Sequence, residues 1–80
     1  MSNLNIKFQY DGKTIVVQCK ETDKINEVFA KFCNKMALKN KSLKFYYNAC
    51  EIVPSNKSIY ALNIKNYDFV VVDVAYVKGA

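Results

Sequence analysis

The sequence predicts an α+β chain in the order ββαββ, with a mixed four- to five-stranded sheet packed on one amphipathic helix. Three observations predict it. Leu4, Ile6, Phe8 and Tyr10 alternate with polar residues, and Ile15, Val17 and Cys19 do the same beyond an Asp11-Gly12 pair. Ile25, Val28, Phe29, Phe32 and Met36 recur at helical spacing, and the stretch from Phe69 to Tyr76 is dense in valine. A period of two buries one face of a strand, and a period near 3.6 buries one stripe of a helix.

The first two strands are joined by Tyr10-Asp11-Gly12-Lys13. Both central residues of a type I′ turn need positive φ, which Gly adopts freely and Asp tolerates, so the chain opens with a hairpin. Thr22-Asp23 ends the second strand and offers a side-chain oxygen to cap a helix starting near Lys24. Lys24, Glu27, Lys31 and Lys35 fall on the polar side of that helix, with Glu27 and Lys31 at the i, i+4 spacing of a favourable pair. Core packing accounts for the aromatic stripe opposite them.

Past the polar link Lys39-Asn40-Lys41-Ser42, Leu43, Phe45 and Tyr47 alternate as a third strand. Asn48-Ala49 reads as a turn into a short strand at Cys50-Glu51-Ile52, and Pro54-Ser55-Asn56-Lys57 breaks the pattern again. Ser58 to Ile64 is long enough for one helical turn anchored by Ile59, Leu62 and Ile64. In the last strand Val70, Val72, Val74 and Tyr76 form one face, and Phe69, Val71, Asp73 and Ala75 the other. Its valine content places it at the centre of the sheet.

Eighty residues with an apolar share of 51% suit one domain, residues 1–80, with an ordered core of about 4–77. No stretch approaches the roughly 18 to 20 apolar residues of a membrane span, and the N-terminus lacks a signal-peptide pattern. An intracellular protein of the cytoplasm or nucleus is expected. The three cysteines, Cys19, Cys33 and Cys50, are widely spaced and sit in apolar patterns, as reduced thiols do. Histidine is absent, which removes the usual partner of a nucleophilic Cys and the commonest zinc ligand. The acids Asp11, Glu21, Asp23, Glu27, Glu51, Asp68 and Asp73 follow no motif that pairs them. The expectation is therefore no enzyme, no metal and no cofactor.

The net charge of +5 comes from lysine alone, since the chain has no arginine. Arginine is the residue that clamps phosphate and guanine with a planar fork. The lysines are spread from Lys7 to Lys78, with Lys35, Lys39, Lys41 and Lys44 nearest to a cluster. A solvated basic surface follows from this, and nucleic acid is not the expected partner.

The order and spacing of these segments resemble the ubiquitin-like superfamily, whose fold is the β-grasp, across about residues 4–77. Asp11-Gly12-Lys13-Thr14-Ile15 is similar to the hairpin of ubiquitin, and Thr22 to Val28 to the start of its helix. Ser42-Leu43-Lys44-Phe45 is similar to its third strand, and Leu62-Asn63-Ile64 to the turn before its last one. Phe32-Cys33-Asn34-Lys35 followed by Ser42-Leu43-Lys44-Phe45 resembles the small ubiquitin-like modifier SUMO more closely.

The resemblance implies two surfaces and one tail. Ubiquitin's sheet-face patch, an isoleucine with a histidine and a valine, maps to Lys44, Val71 and Asp73, so a charged pair replaces its apolar centre. Burying such charges unpaired costs several kcal/mol, and ordinary ubiquitin receptors are not expected to bind. Phe69, Val71 and Tyr46 remain for a different patch. SUMO-like proteins add an extended peptide to the edge of the second strand. Here Val16, Val17 and Gln18 would line that edge, Lys20 would attract an acidic flank, and Val28 and Phe32 would approach from the helix. Glu27 and Gln18 stand where the SUMO pattern is basic.

A conjugated modifier of this family ends in Gly-Gly, whereas this sequence ends Val77-Lys78-Gly79-Ala80. The leading expectation is a non-catalytic protein-interaction module, monomeric, either standing alone or excised from a larger protein. The alternatives are a divergent modifier conjugated through Gly79 after trimming, and a Ras-binding-type β-grasp domain pairing through Gln18 and Lys20. A sulfur carrier would also need Gly-Gly.

Overall fold

The computed structural model describes residues 3–38 and 43–74. Strand β1 (Asn3–Tyr10) turns back into β2 (Lys13–Lys20) through Asp11 and Gly12, at φ 51° and 73°, with Tyr10 paired to Lys13. This is the two-residue turn that the sequence predicts. Helix α1 (Ile25–Met36) follows, then β3 (Leu43–Tyr47), β4 (Cys50–Ile52) and β5 (Phe69–Val74). The sheet order is β2-β1-β5-β3-β4, so the valine-rich strand is central. It runs parallel to β1 and antiparallel to β3, which makes the sheet mixed and five-stranded. The expected ends of the last strand and of the core, at residues 75–77, lie outside the described residues.

The inward residues are those of the alternation. Ile6, Phe8, Val17, Cys19, Phe45, Val70 and Val72 meet Ile25, Val28, Phe29 and Phe32 of α1 in one core, closed at its end by Ile59 and Ile64. Four phenylalanines form its centre. Phe8 stacks on Phe32 with centroids 4.7 Å apart, Phe29 stacks on Phe45 at 3.7 Å, and the two pairs meet edge to face. Each such pair adds about 0.5–1.5 kcal/mol to the area it buries.

The start of α1 corrects the sequence reading. Asp23 does not cap it; its carboxylate accepts from the Lys20 N–H at 2.9 Å and closes the turn out of β2. The first amides of the helix are met from far along the chain instead: Ile25 N–H donates to the Lys57 carbonyl and Asn26 N–H to that of Ser55. Glu27 reaches back toward the Lys24 N–H at 3.4 Å. Lys31 lies 3.8 Å from Asp23, the ion pair seen among the described residues, and the expected pairing with Glu27 is not formed.

The helix ends in a Schellman arrangement. Leu38 N–H donates to Cys33 O and Ala37 N–H to Asn34 O, with Ala37 at φ 56°. The segment after β4 forms the expected turn, ending in the same way. Ile64 N–H meets Ile59 O and Asn63 N–H meets Tyr60 O, with Asn63 at φ 59°. Ile59 and Ile64 are buried and Leu62 half-buried. The Asn48-Ala49 turn has both residues at positive φ, 51° and 65°, between the paired Tyr47 and Cys50.

Candidate interaction surfaces

One face of the sheet is covered by α1, and the other faces solvent. Register places the solvent-side residues in rows: Val16 of β2, Lys7 of β1 and Phe69 of β5 in one, and Thr14, Gln9, Val71, Tyr46 and Glu51 in the next. Lys44 and Asp73 stand opposite each other in a third. Phe69 and Val71 are each 45% exposed, and Tyr46 is half-buried between strands. The sequence-derived set Lys44, Tyr46, Phe69, Val71 and Asp73 is thus brought together on one surface, with the apolar residues in the middle and the opposite charges toward one end.

Two residues that the sequence reading did not assign join this surface. Tyr67 precedes β5 and is 58% exposed. The Lys7 ammonium lies 5.1 Å from the Phe69 ring centroid and 5.4 Å from that of Tyr67, within cation–π range of both. Tyr67 adopts φ 69°, a conformation that costs a bulky L-residue about 1–2 kcal/mol. Hydrogen bonds fix it there: Tyr67 N–H to Asn5 O at 2.7 Å, Asn5 N–H to Asn66 Oδ1 at 2.8 Å and Lys7 N–H to Asp68 O at 2.9 Å. The Asp68 carboxylate in turn accepts from the Tyr47 hydroxyl and from the Lys65 N–H. Burial, followed by the bond to and charge of Asp68, pushes the Tyr47 phenol above its ordinary range. Tyr47 therefore stays a neutral donor that ties β3 to the loop carrying Tyr67.

The groove expected between β2 and α1 is not assembled from the residues named for it. Val17, Val28 and Phe32 are core residues, 3% exposed or less, because the periodicity that puts them between strand and helix also buries them. Val16, Gln18 and Lys20 alternate with Val17 and so belong to the solvent face of the sheet. The backbone edge itself is present, since β2 ends the sheet. What reaches it from the helix is Lys35, whose ammonium donates to the Val16 carbonyl at 3.0 Å.

The remaining chemistry is sparse. Cys19 is buried, Cys33 half-buried and Cys50 exposed, all as free thiols. Burial raises the first two above the ordinary thiol range, and the charge of Asp23 adds to the effect at Cys19, which disfavours the thiolate at both. An open depression of about 410 Å³ lies beside β4, with Tyr47, Cys50, Ile52, Val53 and Leu62 among its lining residues. Among the described residues, no three His, Cys, Asp or Glu side chains group as metal ligands, and no helix is long and apolar enough to cross a membrane. Gly79 lies outside the described residues.

No protein-family model matches the chain, and no curated protein does. Solved structures do. A de novo designed protein based on ubiquitin is 22% identical at a TM-score of 0.79, over 98% of this chain and 95% of that one. The ubiquitin-like domain of an Arabidopsis thaliana protein is 15% identical at 0.85, over 100% and 85%. The ubiquitin of Caldiarchaeum subterraneum is 16% identical at 0.80, over 98% and 100%. Likeness at these identities establishes the fold, a ubiquitin-like β-grasp.

Proposed function

We propose that this ubiquitin-like chain is a non-catalytic interaction module that docks intracellular protein partners through the solvent face of its sheet. The observation that supports it is the exposed run of Tyr67, Phe69 and Val71 around the Lys7 ammonium. Large aromatic side chains dominate binding energy where they are central and rigid. These stand on the central strand and on a loop tied to β1, so little conformational freedom is lost on docking. The left-handed Tyr67 supports the same reading, because strain of that kind persists where surrounding structure enforces it and is concentrated at functional positions. Lys7, already held by two rings, offers a partner carboxylate a placed cation.

The Lys44–Asp73 row distinguishes this surface from an apolar patch of ubiquitin type. A receptor adapted to an apolar centre would have to bury both charges, at a cost of several kcal/mol. The partner class is accordingly one that contacts Tyr67, Phe69 and Val71 and leaves Lys44 and Asp73 at its polar rim.

Affinity capture with the wild-type chain and with a Phe69→Ala/Val71→Ala variant, both checked for folding by NMR, tests the proposal. Proteins retained by the wild type and lost with the variant support it. Identical capture by the two chains, or no capture by the folded wild type, overturns it.

A further inference from the structure

The free edge of β2 differs from an ordinary protected edge. From Thr14 to Gln18 the strand carries no charge of its own, no proline and no bulge, and among the described residues no strand covers it, although edges are usually blunted by such devices. In the antiparallel β1–β2 ladder the pair closing the two-residue turn, Tyr10 and Lys13, exchanges both its hydrogen bonds, and alternate pairs do the same. Thr14, Val16 and Gln18 therefore direct their N–H and C=O groups away from β1. Among the described residues, no partner meets the backbone groups of Thr14 and Gln18. The Val16 carbonyl is met, by the Lys35 ammonium of α1 at 3.0 Å. The protecting charge is thus supplied from the helix to the midpoint of the bare stretch.

We infer that this edge is a self-pairing surface for a second copy of the chain, held shut by Lys35. The stretch is complementary to itself about Val16. Antiparallel pairing of Val16 with its counterpart sets Thr14 against Gln18 and Ile15 against Val17 of the other copy, so on the solvent face the two Val16 side chains meet between polar pairs, and on the core face apolar residues meet. Lys20 falls opposite Gly12 and Lys13 opposite Cys19 of the other copy, and no like charges stand directly opposite within the strands. Each outward residue exchanges both backbone groups with its counterpart. Lys35 opposes this in two ways: it occupies the Val16 carbonyl, and pairing would bring two Lys35 ammonium groups together near the twofold axis. Removing that side chain frees the acceptor and the axis together. The inference does not depend on the outer-face reading, whose residues lie on β1, β3, β5 and the loop before β5.

The test compares wild type, Lys35→Ala, Lys35→Arg and the double variant Lys35→Ala/Val16→Pro by sedimentation equilibrium and amide hydrogen exchange. Proline at position 16 removes an outward N–H and no bond to β1, a position where edge strands tolerate it. Lys35→Ala is expected to self-associate about tenfold or more tightly than wild type, the scale of one charge-assisted hydrogen bond. Its Thr14, Val16 and Gln18 amides should gain protection as concentration rises. Lys35→Arg and the double variant should remain monomeric. Equal association of Lys35→Ala and wild type overturns the inference, as does a dimer in which those three amides exchange freely. Protection of the same amides by an added acidic extended peptide, with no dimer at any concentration, assigns the edge to a foreign strand and also overturns it.

Discussion

Ala37 ends α1 at φ 56°, in the left-handed region that glycine enters without penalty. Ala37→Gly should therefore stabilise the chain, whereas Ala30→Gly, about two turns earlier on the exposed side of the same helix, should destabilise it. The left-handed conformation costs an L-residue about 1–2 kcal/mol. Glycine returns that amount and loses about 0.4–1 kcal/mol through the greater freedom of the unfolded chain. Ala37 is exposed, so only a solvated methyl is removed, and the two backbone bonds at Cys33 and Asn34 do not depend on it. The net expectation is a gain of about 0.5–1 kcal/mol, or roughly 2–8 °C in Tm for a chain of this size. At Ala30 the backbone is helical, and the same change should lose about 1 kcal/mol. Urea unfolding followed by circular dichroism measures both. A midpoint that falls for Ala37→Gly as it does for Ala30→Gly would refute the assigned helix end and the origin of its strain.

Phe8→Ala should lose about 3–5 kcal/mol, because Phe8 is fully buried and stacked on Phe32, whereas Phe69→Ala should change stability by less than about 1 kcal/mol; parallel denaturant titrations compare them. With its pKa raised in the folded state, Tyr47 contributes stability that is present below the unfolded value near pH 10 and is lost as pH rises through the folded one. Tyr47→Phe should flatten that alkaline loss in a pH series of unfolding curves, while costing about 1–2 kcal/mol at neutral pH for the Asp68 acceptor left behind. A thiol reagent should label Cys50 rapidly in the native chain, and Cys19 only as fast as the chain opens; mass spectrometry of partly labelled protein gives the order.

The fold was legible because its signals are local. Asp11-Gly12 with alternation on both sides fixes the hairpin, and the spacing of Ile25, Val28, Phe29 and Phe32 fixes the helix and its buried stripe. The helix cap was not legible, since the carbonyls that meet Ile25 and Asn26 come from Ser55 and Lys57, a loop whose approach depends on the closed fold. The groove was misread for a related reason. Val17, Val28 and Phe32 carry the periodicity of the core, and a side chain in the core is withdrawn from a partner. The outer face was half legible. Alternation along β5 separates Phe69 and Val71 from Val70 and Val72, but Tyr67 lies outside any strand, and its place beside Lys7 follows from the parallel β1–β5 pairing and the bond to Asn5. Lys35 reads as one more solvated helix lysine until the strand beneath it is placed.

The most direct test of the outer-face reading is an amide chemical-shift map of the labelled chain, titrated with a partner captured by the wild type and lost with Phe69→Ala/Val71→Ala. The account predicts that the largest shifts fall on Lys7, Gln9, Tyr46, Tyr67, Phe69 and Val71, with α1 unmoved. Shifts centred on α1 or on the β4 depression, with β5 silent, would contradict it.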